Sequence, residues 1–138
     1  MTCPIFIHVT RWFLPAFLAL LSANLVACSD ESQQIPIATQ HWNDIDVRIE
    51  THPNPPQAGM SEIVVIATGP RGRPVQDLLV SLRVTQDVPW VQAIQDGLIG
   101  VYRRAIDLGD SDTAKLQVRL QHGADEQTLL FPLKLAGS

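Results

Sequence analysis

Between Asp44 and Leu135, apolar and polar side chains exchange places at every second residue, and short polar or proline-rich breaks reset the pattern. A period of two belongs to a strand covered on one face and wet on the other, whereas a half-covered helix repeats near every 3.6 residues. Ile45, Val47 and Ile49 alternate with Asp44, Asp46, Arg48 and Glu50, and the run stops at His52-Pro53-Asn54-Pro55-Pro56. Prolines so closely spaced forbid both a helix and ladder pairing. Met60 to Thr68 follows, and its β-branched block Ile63-Val64-Val65-Ile66 predicts a central strand buried on both faces. Beyond the turn Gly69-Pro70-Arg71-Gly72-Arg73-Pro74, Leu78, Val80, Leu82 and Val84 alternate with Leu79, Ser81, Arg83 and Thr85. Asp96-Gly97 separates Val91 to Gln95 from a strand expected over Leu98 to Leu108, with Gly100, Tyr102, Arg104 and Ile106 on one face. A turn at Gly109-Asp110-Ser111-Asp112 precedes Leu116, Val118 and Leu120, and His122-Gly123-Ala124-Asp125 leads into Leu129, Phe131, Leu133 and Leu135. Pro132 assigns that last strand to an edge or a bulge. About seven short strands without a helical period predict an all-β fold, a small antiparallel β-sandwich, with a small barrel as the competing closure.

Ahead of the strands the composition changes. Arg11 supplies a positive charge, Trp12 to Val26 are mostly apolar despite Pro15, Ser22 and Asn24, and Ala27 is small. This is the layout of an export signal, and the run is shorter than the roughly 20 apolar residues that span a bilayer. The tetrapeptide Leu25-Val26-Ala27-Cys28 resembles the lipobox of bacterial lipoproteins. That resemblance implies cleavage before Cys28 and acylation of its thiol and amine; an ordinary signal peptide and an uncleaved anchor are the alternatives. Each buried methylene contributes about 0.8 kcal/mol, so several acyl chains on one cysteine hold a protein to a membrane stably. In enterobacterial lipoproteins an aspartate directly after the cysteine favours the inner membrane. Ser29 stands there and the acid comes at Asp30, which leans toward the outer membrane.

The expected organisation is therefore a signal peptide at 1–27, a lipidated cysteine and polar tether at 28–42, and a β-sandwich at 43–138. Asp30, Glu31, Ser32, Gln33, Gln34 and Pro36 give the tether too little apolar surface to order itself. Cleavage would leave 111 of the 138 residues, enough for one domain, with nine basic against fourteen acidic side chains. That acidic balance excludes nucleic acid as a partner class. Cys3 would leave with the signal and Cys28 would be lipidated, so no disulfide is expected and burial alone must hold the core.

The sandwich region resembles the periplasmic immunoglobulin-like domains of the FixH and YtkA-like group. The residues that carry the resemblance are Pro53 to Gly59 with the strand Glu62 to Ala67, Gly72-Arg73-Pro74-Val75, Gly100-Val101-Tyr102, the turn at Gly109, and Phe131-Pro132-Leu133. It spans about residues 45 to 135 and implies an immunoglobulin-like sandwich and, by analogy with copper-handling relatives, a metal-handling accessory role. Members often place methionine or histidine just before the Gly-x-Tyr strand. Here that segment reads Val88-Pro89-Trp90-Val91-Gln92-Ala93 and holds neither.

Chemistry-bearing motifs are sparse. His41, His52, His122 and Met60 are the soft or imidazole ligands left after cleavage, and none shares a short ligand spacing; His52, His122 and Met60 could meet only through the fold. The histidines read as surface residues, and no cofactor is expected. No Gly-x-Ser-x-Gly elbow lifts a serine for nucleophilic attack, and Ser61, Ser81 and Ser111 read as strand or turn residues. The acid pairs Asp44/Asp46 and Asp110/Asp112 flank strand and turn positions, as solvated carboxylates do. No catalytic residue and no small-molecule substrate is indicated. Trp42, at the tether boundary, and Trp90, beside Pro89, are the candidate partner-binding residues, with core packing as the competing role. Arg103-Arg104 places one arginine on each face of a strand, to pair with an acid or to cover apolar surface with its stem. The expected function is a lipid-anchored, non-enzymatic envelope protein that binds another protein or serves assembly, with copper handling as the alternative.

Overall fold

A computed structural model describes residues 36–136. The signal segment, Cys28 and most of the expected tether lie outside the described residues. Among the described residues nine strands follow in chain order: β1 (Gln40–Trp42), β2 (Ile45–His52), β3 (Met60–Thr68), β4 (Leu79–Arg83), β5 (Val91–Gln92), β6 (Ile94–Gln95), β7 (Val101–Asp107), β8 (Thr113–His122) and β9 (Asp125–Lys134). They pair antiparallel into two sheets, β1-β2-β3-β7-β6 and β5-β4-β8-β9. In immunoglobulin lettering β2-β3-β7-β6 is the A-B-E-D sheet and β4-β8-β9 is C-F-G, so the chain folds as an immunoglobulin-like sandwich.

The two-residue period becomes a two-faced strand, as in β2, where Ile45, Val47, Ile49 and Thr51 are buried while Asp46, Arg48, Glu50 and His52 are exposed. β3 is central in its sheet and buries Val64 on its outer face as well. Phe131, Leu116, Val118, Leu82, Val47 and Val65 are fully buried between the sheets. Each contributes about 1.5–3 kcal/mol by leaving water. The core is drawn from the Ser32–Ser138 unit. The sandwich thus carries its own core, the requirement for a domain that folds by itself.

Local chemistry sets the connections. β8 and β9 meet through the two-residue loop Gly123-Ala124, with Gly123 at φ 61°, the left-handed geometry that tight hairpins need. Ala93 lies between β5 and β6, so the chain changes sheets there and closes one side of the sandwich. Gly100 sits at φ 71°, and a Cβ there would come within 2.5 Å of the Ala67 carbonyl oxygen. Only glycine lets these backbones cross so closely. Beside it, the buried Tyr102 hydroxyl donates to the Val75 carbonyl (3.0 Å) and accepts from Leu78 N–H (3.2 Å), pinning the β3–β4 connection to β7.

Two expectations need correction. The tether assigned to 28–42 ends too late: Gln40–Trp42 is a strand, and Ile37 packs against the core. Trp42 pairs with Ile45 across Asn43-Asp44, with Asn43 at φ 54°, a turn that asparagine tolerates. The strand expected from Leu98 begins instead at Val101. Gly97 and Gly100 both adopt positive φ, Asp96 N–H closes on Val101 O at 2.7 Å, and Leu98 and Ile99 are left exposed in the turn.

Candidate functional site

Register decides which charges share a surface. The outer face of the four-stranded sheet carries Arg83 on β4, Lys115 and Arg119 on β8 and Lys134 on β9, against Glu126 as its acid. On the outer face of the five-stranded sheet, Asp46, Glu50, Glu62 and Asp107 outnumber Arg48 and Arg103. Those two arginines are also engaged: Arg48 reaches Glu50 at 3.3 Å, and Arg103 reaches Asp96 at 2.6 Å and Glu62 at 3.7 Å. Among the described residues no carboxylate pairs with Arg83, Arg119, Lys115 or Lys134. A mildly acidic chain thus presents one face with unneutralised positive charge.

Trp90 stands at the edge of that face. It precedes β5, whose Val91 turns inward opposite Leu82, so the indole falls on the outer side, near Arg83. The Arg83 guanidinium carbon lies 4.2 Å from the indole centroid and that of Arg119 lies 4.5 Å away. Each contact contributes about 0.5–1 kcal/mol at a site open to water. Gln117 Oε1 accepts from Arg83 Nε at 2.9 Å and fixes that guanidinium in place. The indole is half-buried, with two like charges gathered on it. Chemically this arrangement is able to accept a carboxylate: two planar sets of donors over an aromatic plate, one of them held by Gln117.

The other sequence candidates are placed differently. Trp42 is only 8 % exposed and belongs to the core, which removes it from any partner surface in this fold. His52 pairs with Glu62 in the register of β2 with β3, near Met60 at the start of β3. His122 lies at the far end of the sandwich, 3.9 Å from Asp77 and beside the Gly69–Asp77 connection. The length of β3, about 25 Å at ~3.3 Å per residue, separates the two ends. The fold therefore does not bring His52, His122 and Met60 together. His41 Nδ1 contacts Asp46 Oδ1 at 2.6 Å on the exposed surface. Among the described residues no three His, Cys, Asp or Glu side chains are grouped to hold a metal ion. Arg103 and Arg104 do divide between the faces: Arg103 takes acids outside, while Arg104, opposite the buried Ile63, faces inward.

Arg83 and Arg119 were not visible as site residues in the sequence. Each sits at an outward position of an alternating strand, the one available signal, but that signal marks every solvated residue equally. The chain matches no family model, no curated protein and no solved structure.

Proposed function

We propose that this chain is a lipid-anchored protein of the bacterial cell envelope, non-enzymatic, whose sandwich binds an acidic protein through the outer face of the β5-β4-β8-β9 sheet. Its anchoring half rests on Leu25-Val26-Ala27-Cys28 at the end of a short apolar run, with Ser29 favouring the outer membrane. The binding half rests on a single observation, the half-buried Trp90 flanked by Arg83 and Arg119 without a carboxylate partner. Tryptophan and arginine dominate binding hot spots because they bury large area and make directed bonds from few rotors. Arg83 is ordered beforehand by Gln117, which lowers the entropy lost on association. The remaining cations on this face would speed encounter with an acidic surface and fix its orientation.

Affinity capture with the Ser32–Ser138 domain tests the binding half. A specific partner should be retained by the native domain, released as salt rises, and lost with both Trp90→Ala and the double variant Arg83→Ala/Arg119→Ala. Retention by all three proteins would end the assignment of this face. Mass spectrometry of the processed N-terminal peptide tests the anchor: acyl groups on Cys28 are expected, with unprocessed precursor accumulating in Cys28→Ser. A mature N-terminus elsewhere would refute the anchor. The copper-handling reading gains nothing from the positions of His52, Met60 and His122.

A further inference from the structure

Arg104 is the one inward-facing arginine of β7, on the same side as Tyr102 and Ile106. Arg104 is half-buried there, and an arginine at an inward position usually either finds a carboxylate or lays its stem on apolar surface with its head toward water. Among the described residues Arg104 has neither an ion pair nor a side-chain hydrogen bond. It borders a groove of about 300 Å³ on the side of the sandwich crossed by the β4–β5 connection. Leu82, Val84, Val91 and Ile106 form the interior of that groove, and Met60 and Val88 stand at its mouth, 65 % and 44 % exposed. Two other charged side chains border it, Arg83 and Asp107. Asp107 Oδ1 accepts from Gly109 N–H at 2.9 Å, and Arg83 is held by Gln117 and Trp90.

We propose that this groove is a binding site for a monocarboxylate on an apolar body, with Arg104 receiving the carboxylate and the groove walls covering the tail. Charge and shape select that ligand class together. The groove is bordered by two guanidiniums, Arg104 and Arg83, against the single carboxylate of Asp107, a net positive charge that favours an anion, and arginine matches the two carboxylate oxygens with parallel donors. A volume of about 300 Å³ holds about ten non-hydrogen atoms at the ~30 Å³ each water takes in the liquid. Octanoate has that size. The groove adjoins the Trp90 face through Arg83 and Pro89, but the proposal turns on Arg104 and does not depend on the protein-binding reading. Without a ligand, the Arg104 stem simply covers apolar surface, and the experiment separates the two roles.

Met60 is the only methionine of the Ser32–Ser138 domain and stands at the mouth of the groove, so its methyl resonance reports occupancy directly. Octanoate should shift that resonance saturably at one equivalent, with a dissociation constant below about 1 mM. Acetate, octanol and octylammonium should each need at least tenfold higher concentration. Arg104→Met, which keeps the apolar stem, should weaken octanoate at least tenfold and leave octanol unchanged, whereas Arg104→Lys should retain much of the affinity. Urea midpoints of both variants close to that of the native domain will show that the fold is intact. The proposal is overturned if octanoate produces no saturable shift, if octanol or octylammonium binds equally well, or if Arg104→Met binds octanoate as tightly as the native domain.

Discussion

Tyr102→Phe removes one oxygen atom and keeps the ring, so its cost isolates the hydroxyl. In the native domain that hydroxyl satisfies two backbone groups of the β3–β4 connection, Val75 C=O at 3.0 Å and Leu78 N–H at 3.2 Å. Val75 is half-buried, and water can reach its carbonyl after the change, which limits that loss to an ordinary hydrogen bond of about 1 kcal/mol. Leu78 is 5 % exposed, so its N–H is left without an acceptor and adds a further ~1–2 kcal/mol. The expected destabilisation is about 2–3 kcal/mol, which for a domain of this size lowers the melting temperature by about 10–20 °C. Urea unfolding of the Ser32–Ser138 domain measures it, with the midpoint moving and the slope unchanged. Amide exchange adds a local readout, because Leu78 N–H should lose protection more than the amides of β8. A loss under about 0.5 kcal/mol would refute the claim that this hydroxyl fastens the connection to β7.

Burial pushes the Tyr102 phenol above its ordinary 10.0; donation from Leu78 N–H works against that rise and the charge of Asp77 adds to it. The folded protein therefore holds the phenolic proton longer than the unfolded chain. The resulting stabilisation is complete below the ordinary value and is lost as pH rises through the folded one, so native stability should fall more steeply there than that of Tyr102→Phe. Tyr102 is the only tyrosine in the chain, so its ultraviolet titration can be read without interference. Gly100→Ala meets both positive φ and the Ala67 carbonyl at 2.5 Å; a loss of about 3 kcal/mol or more in urea unfolding is expected, and a neutral result would contradict the close crossing. Phe131→Ala, at a fully buried site between the sheets, should cost about 3–5 kcal/mol in the same assay.

The strands were legible because their signal repeats. β2, β4 and β8 bury one residue in two, so each position reinforces the next, and one covered face allows only one register. β1 is three residues long and β5 and β6 two each, too short for a period to show, and their existence depends on partners supplied by β2, β4 and β7. Trp42 was misplaced for that reason: the hairpin that buries it is specified by Asn43-Asp44, a weak signal beside an otherwise polar segment. The Arg83–Trp90–Arg119 group lies one step further from the sequence. Arg83 and Arg119 approach each other only through the register of β4 with β8, and Trp90 reaches them only because β5 pairs with β4. Arg104 was legible as one of two arginines on opposite faces, but its lack of a partner depends on where every acid in the fold falls.

Site-specific photocrosslinking in cells tests the binding face most directly, with a photoreactive residue at Gln92 on the Arg83–Trp90–Arg119 side and, in a second strain, at Arg48 on the outer face of the opposite sheet. The account predicts a discrete adduct from position 92, absent from position 48 and lost when Arg83→Ala and Arg119→Ala are introduced together. An adduct from position 48 alone, or one from position 92 that survives loss of both arginines, would contradict it.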